Sequence, residues 1–298
     1  ARMIEQAHTR GLQVHAYVNV YTLWSDLNLD GQNLPCNEVP PETAVPTPLY
    51  YQLKTEHGVI TTTTTFTNPH NLSALQWDSS GDVVCADGYV WATPASDFFD
   101  DHMVAVAHDI VSRYEVDGLQ LDRIRYGADA ADASCDPVSA IAYGGDCFAN
   151  PDYADWQRSQ INNLVARIYN EAIITATRPV LLSAAVWPIH ELDPAWENFT
   201  GSPQEGNLDY YQDSKTWLIS DTIDSLAPMI YPASYGACDV DGNYEQGSDY
   251  WTQARWQTLV DDFVADSNGR FIIPGIGANY CAFAEIEAQF GLPEKDVK

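Results

Sequence analysis

The sequence predicts an α/β fold of the TIM-type (β/α)8 barrel kind, and three observations predict it. Short apolar runs alternate with stretches of helical period along most of the chain. Each apolar run ends on its C-terminal side in polar or aromatic residues. The length of 298 residues suits one such barrel, which runs to about 250 residues or more with insertions. Strands separated by helices must pair in parallel, and barrels of this kind place their active sites at the C-terminal strand ends. One domain over residues 1–298 is therefore expected, with 22–99 as an irregular insertion over the barrel mouth.

A helix opens the chain from Arg2 to Arg10, with Met3, Ile4 and Ala7 on one face and Gly11 as its stop. Leu12 to Tyr21 reads as a strand running into a polar and aromatic end that includes Tyr17, Asn19, Tyr21 and Trp24. The next segment is rich in Pro, Thr, Asn and Gly, carries a threonine run at 61–65, and is read as a long excursion that a small hairpin could decorate. Alternation resumes with helix Asp100–Tyr114, where Val104, Ala107, Ile110, Val111 and Tyr114 share a face, and strand Asp117–Ile124. Then come helix Asp155–Ala176, strand Val180–Trp187, helix Asp213–Ser220, strand Ser225–Tyr231, helix Tyr250–Asp266 and strand Phe271–Gly277. Five barrel strands are legible. A closed barrel has eight, so the reading expects truncation at both ends, with two strands before Ala1 and one after Lys298.

Hydrophobic residues make up 45% of the chain and aromatics 12%, with nine Trp and 17 Tyr, enough for a buried core with rings left over. The 42 acidic residues outnumber the 14 Lys plus Arg, and a formal charge of -28 would repel a phosphate backbone, so nucleic acid and anionic membrane surfaces are not expected partners. The charge serves solubility, a salty medium or divalent cations. No stretch approaches the about 20 consecutive apolar residues of a membrane span. Cys36, Cys85, Cys135, Cys147, Cys238 and Cys281 are even in number without a C-x-x-C pair, which favours disulfides over metal and a secreted or cell-surface location. Cys135–Cys147, closing a short Gly- and Asp-rich loop, is the first expected bridge. The histidines His8, His15, His102 and His108 show no zinc spacing, and neither a serine elbow nor a phosphate-binding glycine loop occurs.

The most informative stretch runs from Val116 to Tyr126. Alternation puts Gln120, Asp122, Ile124 and Tyr126 on one strand face and Leu119, Leu121 and Arg123 on the other, so Asp122 should point inward near the top of the strand. A carboxylate there must be hydrogen-bonded, paired or used. The bland alternative is a rim salt bridge to Arg123 or Arg125. Asp117 is read as the start of the strand.

The segments Ala7-His8-x-Arg10-Gly11-Leu12-x-Val14-His15-Ala16-Tyr17-x-Asn19, Tyr114-x-Val116-Asp117-Gly118-x-x-x-Asp122-x-x-Arg125-Tyr126, Asp155-Trp156-x-Arg158 and Pro228-Met229-x-Tyr231 agree in order and spacing with one known group. Together they resemble the bacterial "family-10-like" glycosyl hydrolases, over nearly the whole chain. The resemblance implies a barrel, missing strands ahead of the first visible one, and cleavage of O-glycosidic bonds in cell-wall or other extracellular polysaccharide. Strand four and Met229-x-Tyr231 also resemble chitinases, which carry Asp-Gly-x-Asp-x-Asp-x-Glu here. This chain has Gln120 and Ile124 at the positions of the earlier Asp and the Glu, which removes the usual proton donor.

Glycoside hydrolysis uses two carboxyl groups flanking the bond, so a partner for Asp122 is sought among Glu191, Asp213 and Glu285, each also readable as a solvated loop acid. Asp213 is favoured because Tyr211-Gln212-Asp213 belongs to the resemblance, with Glu191 next. Sugar faces stack on flat rings and their hydroxyls want short polar partners. Tyr17, Asn19, Tyr21, Trp24, Tyr126, Trp187, Tyr211, Trp217 and Tyr231 offer such a set, although Trp156, Trp217 and Trp256 on helices read as core. Arg123 and Arg125 could grip an anionic sugar or form a rim salt bridge. Hydrolysis needs no cofactor, but Asp26, Asn28, Asp30 and Gln32 have the oxygen spacing of a calcium loop's first half, with Glu38 one place late, and Asp239-x-Asp241-x-Asn243-x-Glu245 is similar. The rival to the hydrolase is a glycan-binding or structural surface protein on the same scaffold. Oligomeric state is left open.

Overall fold

The computed structural model describes residues 2–25, 43, 45–59, 72–78, 81, 83–86, 88–127, 134–196, 199, 203–230 and 253–275. In chain order they form α1 (Arg2–His8), β1 (His15–Asn19), β2 (Thr22–Ser25), α2 (Leu49–His57), β3 (Cys85–Ala86), β4 (Tyr89–Trp91) and α3 (Asp97–Arg113). There follow β5 (Gly118–Asp122), α4 (Pro137–Tyr143), and α5 (Tyr153–Arg167), which runs on as a π-helical turn at Ile168–Ile173. The last elements are β6 (Leu181–Val186), α6 (Gly206–Asp209), α7 (Ser214–Ile219), β7 (Ser225–Pro228), α8 (Gln253–Ala265) and β8 (Phe271–Ile272).

The strands β1, β5, β6, β7 and β8 form one sheet in that order, every pair parallel. These are the five strands expected. Among the described residues they form an open five-stranded parallel α/β sheet with β1 and β8 at its edges, in line with the expectation that this chain does not close a barrel by itself. Its two faces differ because side chains alternate. One face carries Ala16, Val18, Leu119, Leu121, Leu182, Ala184, Val186, Leu226 and Ile272, which join Phe99, Met103, Ala107 and Val111 of α3 and Ile161, Leu164 and Val165 of α5 in the main core. Burying a Leu or Phe side chain there contributes about 1.5–3 kcal/mol, so this face fixes which way the sheet lies. The other face is polar or small: His15, Tyr17 and Asn19 on β1, Gly118, Gln120 and Asp122 on β5, Ser183 and Ala185 on β6, Ser225 and Ala227 on β7.

The β1–β5 register pairs His15 with Gly118 at one end and Asn19 with Asp122 at the other. A Cβ on residue 118 would lie 2.3 Å from His15 Nδ1, so the ring lies where any side chain on that residue would be. At the same pole Asp117 accepts hydrogen bonds from Val14 N (2.7 Å) and His8 Nε2 (2.9 Å). Partial burial raises the Asp117 pKa, but these two donors outweigh it and hold the carboxyl below its usual value. The motif residues His8, Asp117 and Gly118 thus fasten α1 and β1 to β5.

Segment 22–99 departs from the expected irregular excursion. It contains α2 and a three-stranded antiparallel sheet, ordered β2-β4-β3, whose centre is the fully buried Trp91 with its indole N–H on Ala86 O at 3.0 Å. Gln76 joins this small sheet to the large one: its amide donates to Ala92 O (2.8 Å) and accepts from Gly127 N (2.9 Å). Helix α3 begins three residues earlier than expected because Ser96 caps it, accepting from Phe99 N at 3.2 Å. Helix α4 was not anticipated, although Asp136 at its N-cap, Pro137 after it and left-handed Gly144 at its end are ordinary helix punctuation. Cys135–Cys147 is a disulfide with Cα atoms 5.8 Å apart, as expected, and Cys85 is also disulfide-bonded. Cys36, Cys238 and Cys281 lie outside the described residues. No described helix is long and apolar enough to cross a membrane.

Two outcomes follow from the packing. G118A should lose about 1–3 kcal/mol of stability by displacing the His15 ring, and the cost should largely vanish in an H15A background; an equal cost in both backgrounds would contradict the contact. Burial pushes the Asp100 carboxyl, 7% exposed, up to about 8, and that of Asp136 up to about 7. Between the unfolded value near 4 and those values the folded state keeps protons that the unfolded state has released, so stability should fall as pH rises through this window. Melting temperature measured from pH 4 to 8 should decline less steeply for D100N than for the natural chain. Parallel curves would show that Asp100 is not the group responsible.

Candidate active site

Strand β5 stops at Asp122 because Arg123 turns the backbone into the left-handed region (φ 54°). Asp122 therefore stands at a strand end, half-buried, on the polar face of the sheet beside Asn19. Both of its carboxylate oxygens are held. Oδ1 accepts the Arg123 backbone N–H at 2.7 Å, and Oδ2 accepts the Tyr17 hydroxyl, which also lies 2.9 Å from Asn19 Oδ1. Burial, and then the hydrogen bond and charge of Asp122, raise the Tyr17 pKa, so the phenol stays a donor. A carboxylate fixed in this way can attack, take a proton or stabilise a developing positive charge.

Neither Arg123 nor Arg125 forms a side-chain salt bridge with Asp122, the alternative weighed for that carboxylate. The Arg123 guanidinium lies 4.9 Å from the Tyr89 ring centre and 5.9 Å from that of Trp91, and its link to Asp122 is through the backbone. Arg125, expected to meet substrate, is 2% exposed, which corrects that expectation. It lies against Tyr210 (4.6 Å), Trp91 (5.0 Å) and Trp187 (5.3 Å) and donates to Tyr126 O at 3.0 Å.

Of the other expected contact residues, Tyr17 is 56% exposed, Asn19 is half-buried and Trp187 is half-buried with its indole N–H on Gln204 O at 2.9 Å. Tyr21, Tyr126 and Tyr211 are buried, which corrects their assignment to a sugar surface, while Trp217 is buried as its reading as a core residue expects. Tyr21 stacks on Phe99 in the core, and Tyr126 and Tyr211 meet edge to face at 5.2 Å. The alternation that assigned Tyr126 to the face of Asp122 ends at Arg123. Trp24 lies in β2 opposite Val90. Tyr231, Glu285, the calcium-loop residues Asp26, Asn28, Asp30, Gln32 and Glu38, and the run from Asp239 to Glu245 lie outside the described residues. Among the described residues no group of three or more His, Cys, Asp or Glu is placed to hold a metal.

The two described candidates for the second acid sit in different surroundings. Asp213 is held in the helix layer, where it accepts from Asn162 of α5 at 3.1 Å and lies 4.0 Å from His190 Nε2. Burial, then the charge of Lys215, lowers the His190 pKa. Asn162 in turn accepts from the buried Trp217 indole at 2.6 Å. Glu191 is exposed on the loop that follows β6 and accepts from the Asn207 side chain. Sequence reasoning passed over Gln212, which is 1% exposed and joins strand ends: it accepts from Trp187 N (2.6 Å) and donates to Ile124 O (3.2 Å) and Ala185 O (3.4 Å). Its only sequence signal was its place beside Asp213.

A family model described as glycosyl hydrolase-like 10 matches residues 56–266. Glycosyl hydrolase DigH of Escherichia coli is 26% identical over 250 residues, which is 80% of this chain and 47% of that protein. Glycosyl hydrolase YngK of Bacillus subtilis is 26% identical over 238 residues, 78% of this chain and 38% of that protein. The chain thus spans about half the length, or less, of these curated relatives. Among solved structures, the PgaB (BpsB) glycoside hydrolase domain from Bordetella bronchiseptica superposes with a TM-score of 0.53 at 15% identity, covering 99% of this chain and 71% of that one. At that identity the likeness speaks for the fold. The family model covers well over half of the sequence, and the chain belongs to the glycosyl hydrolase-like 10 family.

Proposed function

We propose that this chain is the core of a glycoside hydrolase that cleaves O-glycosidic bonds in an extracellular or cell-wall polysaccharide of the peptidoglycan type. The observation that carries the reading is Asp122: a carboxylate at a C-terminal strand end, on the polar sheet face, with each oxygen held by one donor. In this reading the parallel sheet is part of an eight-stranded barrel, and the strand ends form the glycan cleft. Membership of a glycosyl hydrolase-like family supports the reaction class. The Cys135–Cys147 bridge supports an oxidising, extracellular compartment.

Asp122 acts as nucleophile or as the group that stabilises an oxocarbenium-like transition state. Glu191 takes the role of proton donor in preference to Asp213, because its carboxyl is exposed on the loop that follows β6, whereas Asp213 is half-buried. Tyr17, Asn19 and Trp187 are the described residues that offer a sugar a phenol, an amide and a flat ring at that end of the sheet.

The test pairs turnover with melting. On glycan strands, D122N should lower kcat by roughly three orders of magnitude or more with a nearly unchanged Tm, since the amide keeps the shape and removes the charge. Full activity in a destabilised D122N would overturn the catalytic assignment. Glycan binding without turnover by the natural chain would instead identify a binding module.

A further inference from the structure

The small antiparallel sheet grips the chain on both sides of the turn that follows Asp122. The turn is unusual: a left-handed φ of 54° suits Gly or Asn, and a bulky side chain gains nothing from it locally. Its place is specific, because it directly follows the peptide whose N–H, that of Arg123, meets Asp122 Oδ1. Observed strain of this kind is informative when it sits next to a reacting group.

Rings of β4 and several backbone bonds hold this turn. The Arg123 guanidinium lies over Tyr89 and beside Trp91, alternate residues of β4, at 4.9 and 5.9 Å. Arg125 meets Trp91 at 5.0 Å, so one indole contacts the cations on both sides of Ile124. The backbone is tied as well: Val20 N donates to Asp122 O at 2.8 Å, Tyr21 N donates to Arg123 O at 3.3 Å, and Ala92 N, just after β4, donates to Tyr21 O at 2.8 Å.

We infer that Arg123 is a positioning residue for Asp122, and that Tyr89 and Trp91 make the small sheet a working part of the site. The guanidinium held over those rings fixes where the chain leaves Asp122, and with it the peptide whose N–H meets Oδ1. This deepens the proposed function and rests on Asp122 being its catalytic carboxylate.

The test uses the full chain with R123A, R123K, Y89A and the double variant R123A/Y89A, assayed on the same glycan strands as D122N, with Tm recorded for each. R123A should lower kcat about 10- to 100-fold with little change in KM, the scale expected when a reacting group is misplaced by about an ångström. R123K, which keeps a cation over the rings, should recover most of the loss. Y89A should resemble R123A, and the double variant should be no worse than R123A alone, because both break one contact. Wild-type kcat in R123A would overturn the inference, as would a loss confined to KM, which marks direct anion binding. Additive losses in the double variant, or no recovery in R123K, would overturn it too. If D122N itself keeps full activity, the catalytic reading falls and this inference with it. An inactive D122N beside an unaffected R123A removes the inference alone.

Discussion

The parallel register between β1 and β5 is the constraint on which the site depends. It is fixed at one pole by the His15 ring lying over Gly118 and by Asp117 holding His8 and the Val14 N–H. Slipping the register by one residue would turn Leu119 and Leu121 away from the helices, where they form part of the main core. Because that slip is so costly, Asn19 and Asp122 come level at the opposite pole, with Tyr17 two residues back on the same face. The fastening lies at the N-terminal ends of the strands and the proposed chemistry at the C-terminal ends, a division of labour common to parallel α/β folds.

Around Asp122 the backbone is less regular, and the irregularities have partners. Arg123 and Tyr211 are the two bulky residues with positive φ among the described residues, and both lie in segments at the strand ends. Tyr210 O accepts the Tyr126 N–H at 3.0 Å, and Gln212 bonds to backbone groups after β5 and β6. The segment beyond β5 is therefore held from the α6–α7 connection on one side and from the small sheet on the other. In a buried setting each such polar tie is costly to leave unmade, so the network specifies one arrangement.

The five parallel strands were legible because short apolar runs alternate with stretches of helical period, and Asp122 was legible because alternation runs true from Gly118 to Asp122. It failed one residue later, where the chain turns left-handed without a Gly or Asn to announce it. Aromatic residues were the other weak point. Tyr21, Tyr126 and Tyr211 have the composition of a sugar platform, yet a tyrosine packs in a core as readily as it faces solvent, and only the fold decides. The surroundings of Asp213 were hidden for a similar reason: its partner Asn162 is 51 residues away in sequence. Arg125 reads as an anion ligand in a motif, but the rings that enclose it come from segments around residues 91, 187 and 210. The small sheet was hidden by strands of two to four residues, too short to show a period.

The central claim is that Asp122 faces a glycan at the C-terminal strand ends. It is tested most directly by a crystal structure of D122N with a peptidoglycan glycan fragment bound. The account predicts a sugar ring within hydrogen-bond reach of residue 122, between the ends of β1 and β6, with Tyr17 or Trp187 against it. A fragment seated elsewhere, with the pole around residue 122 filled by the protein's own side chains, would contradict it.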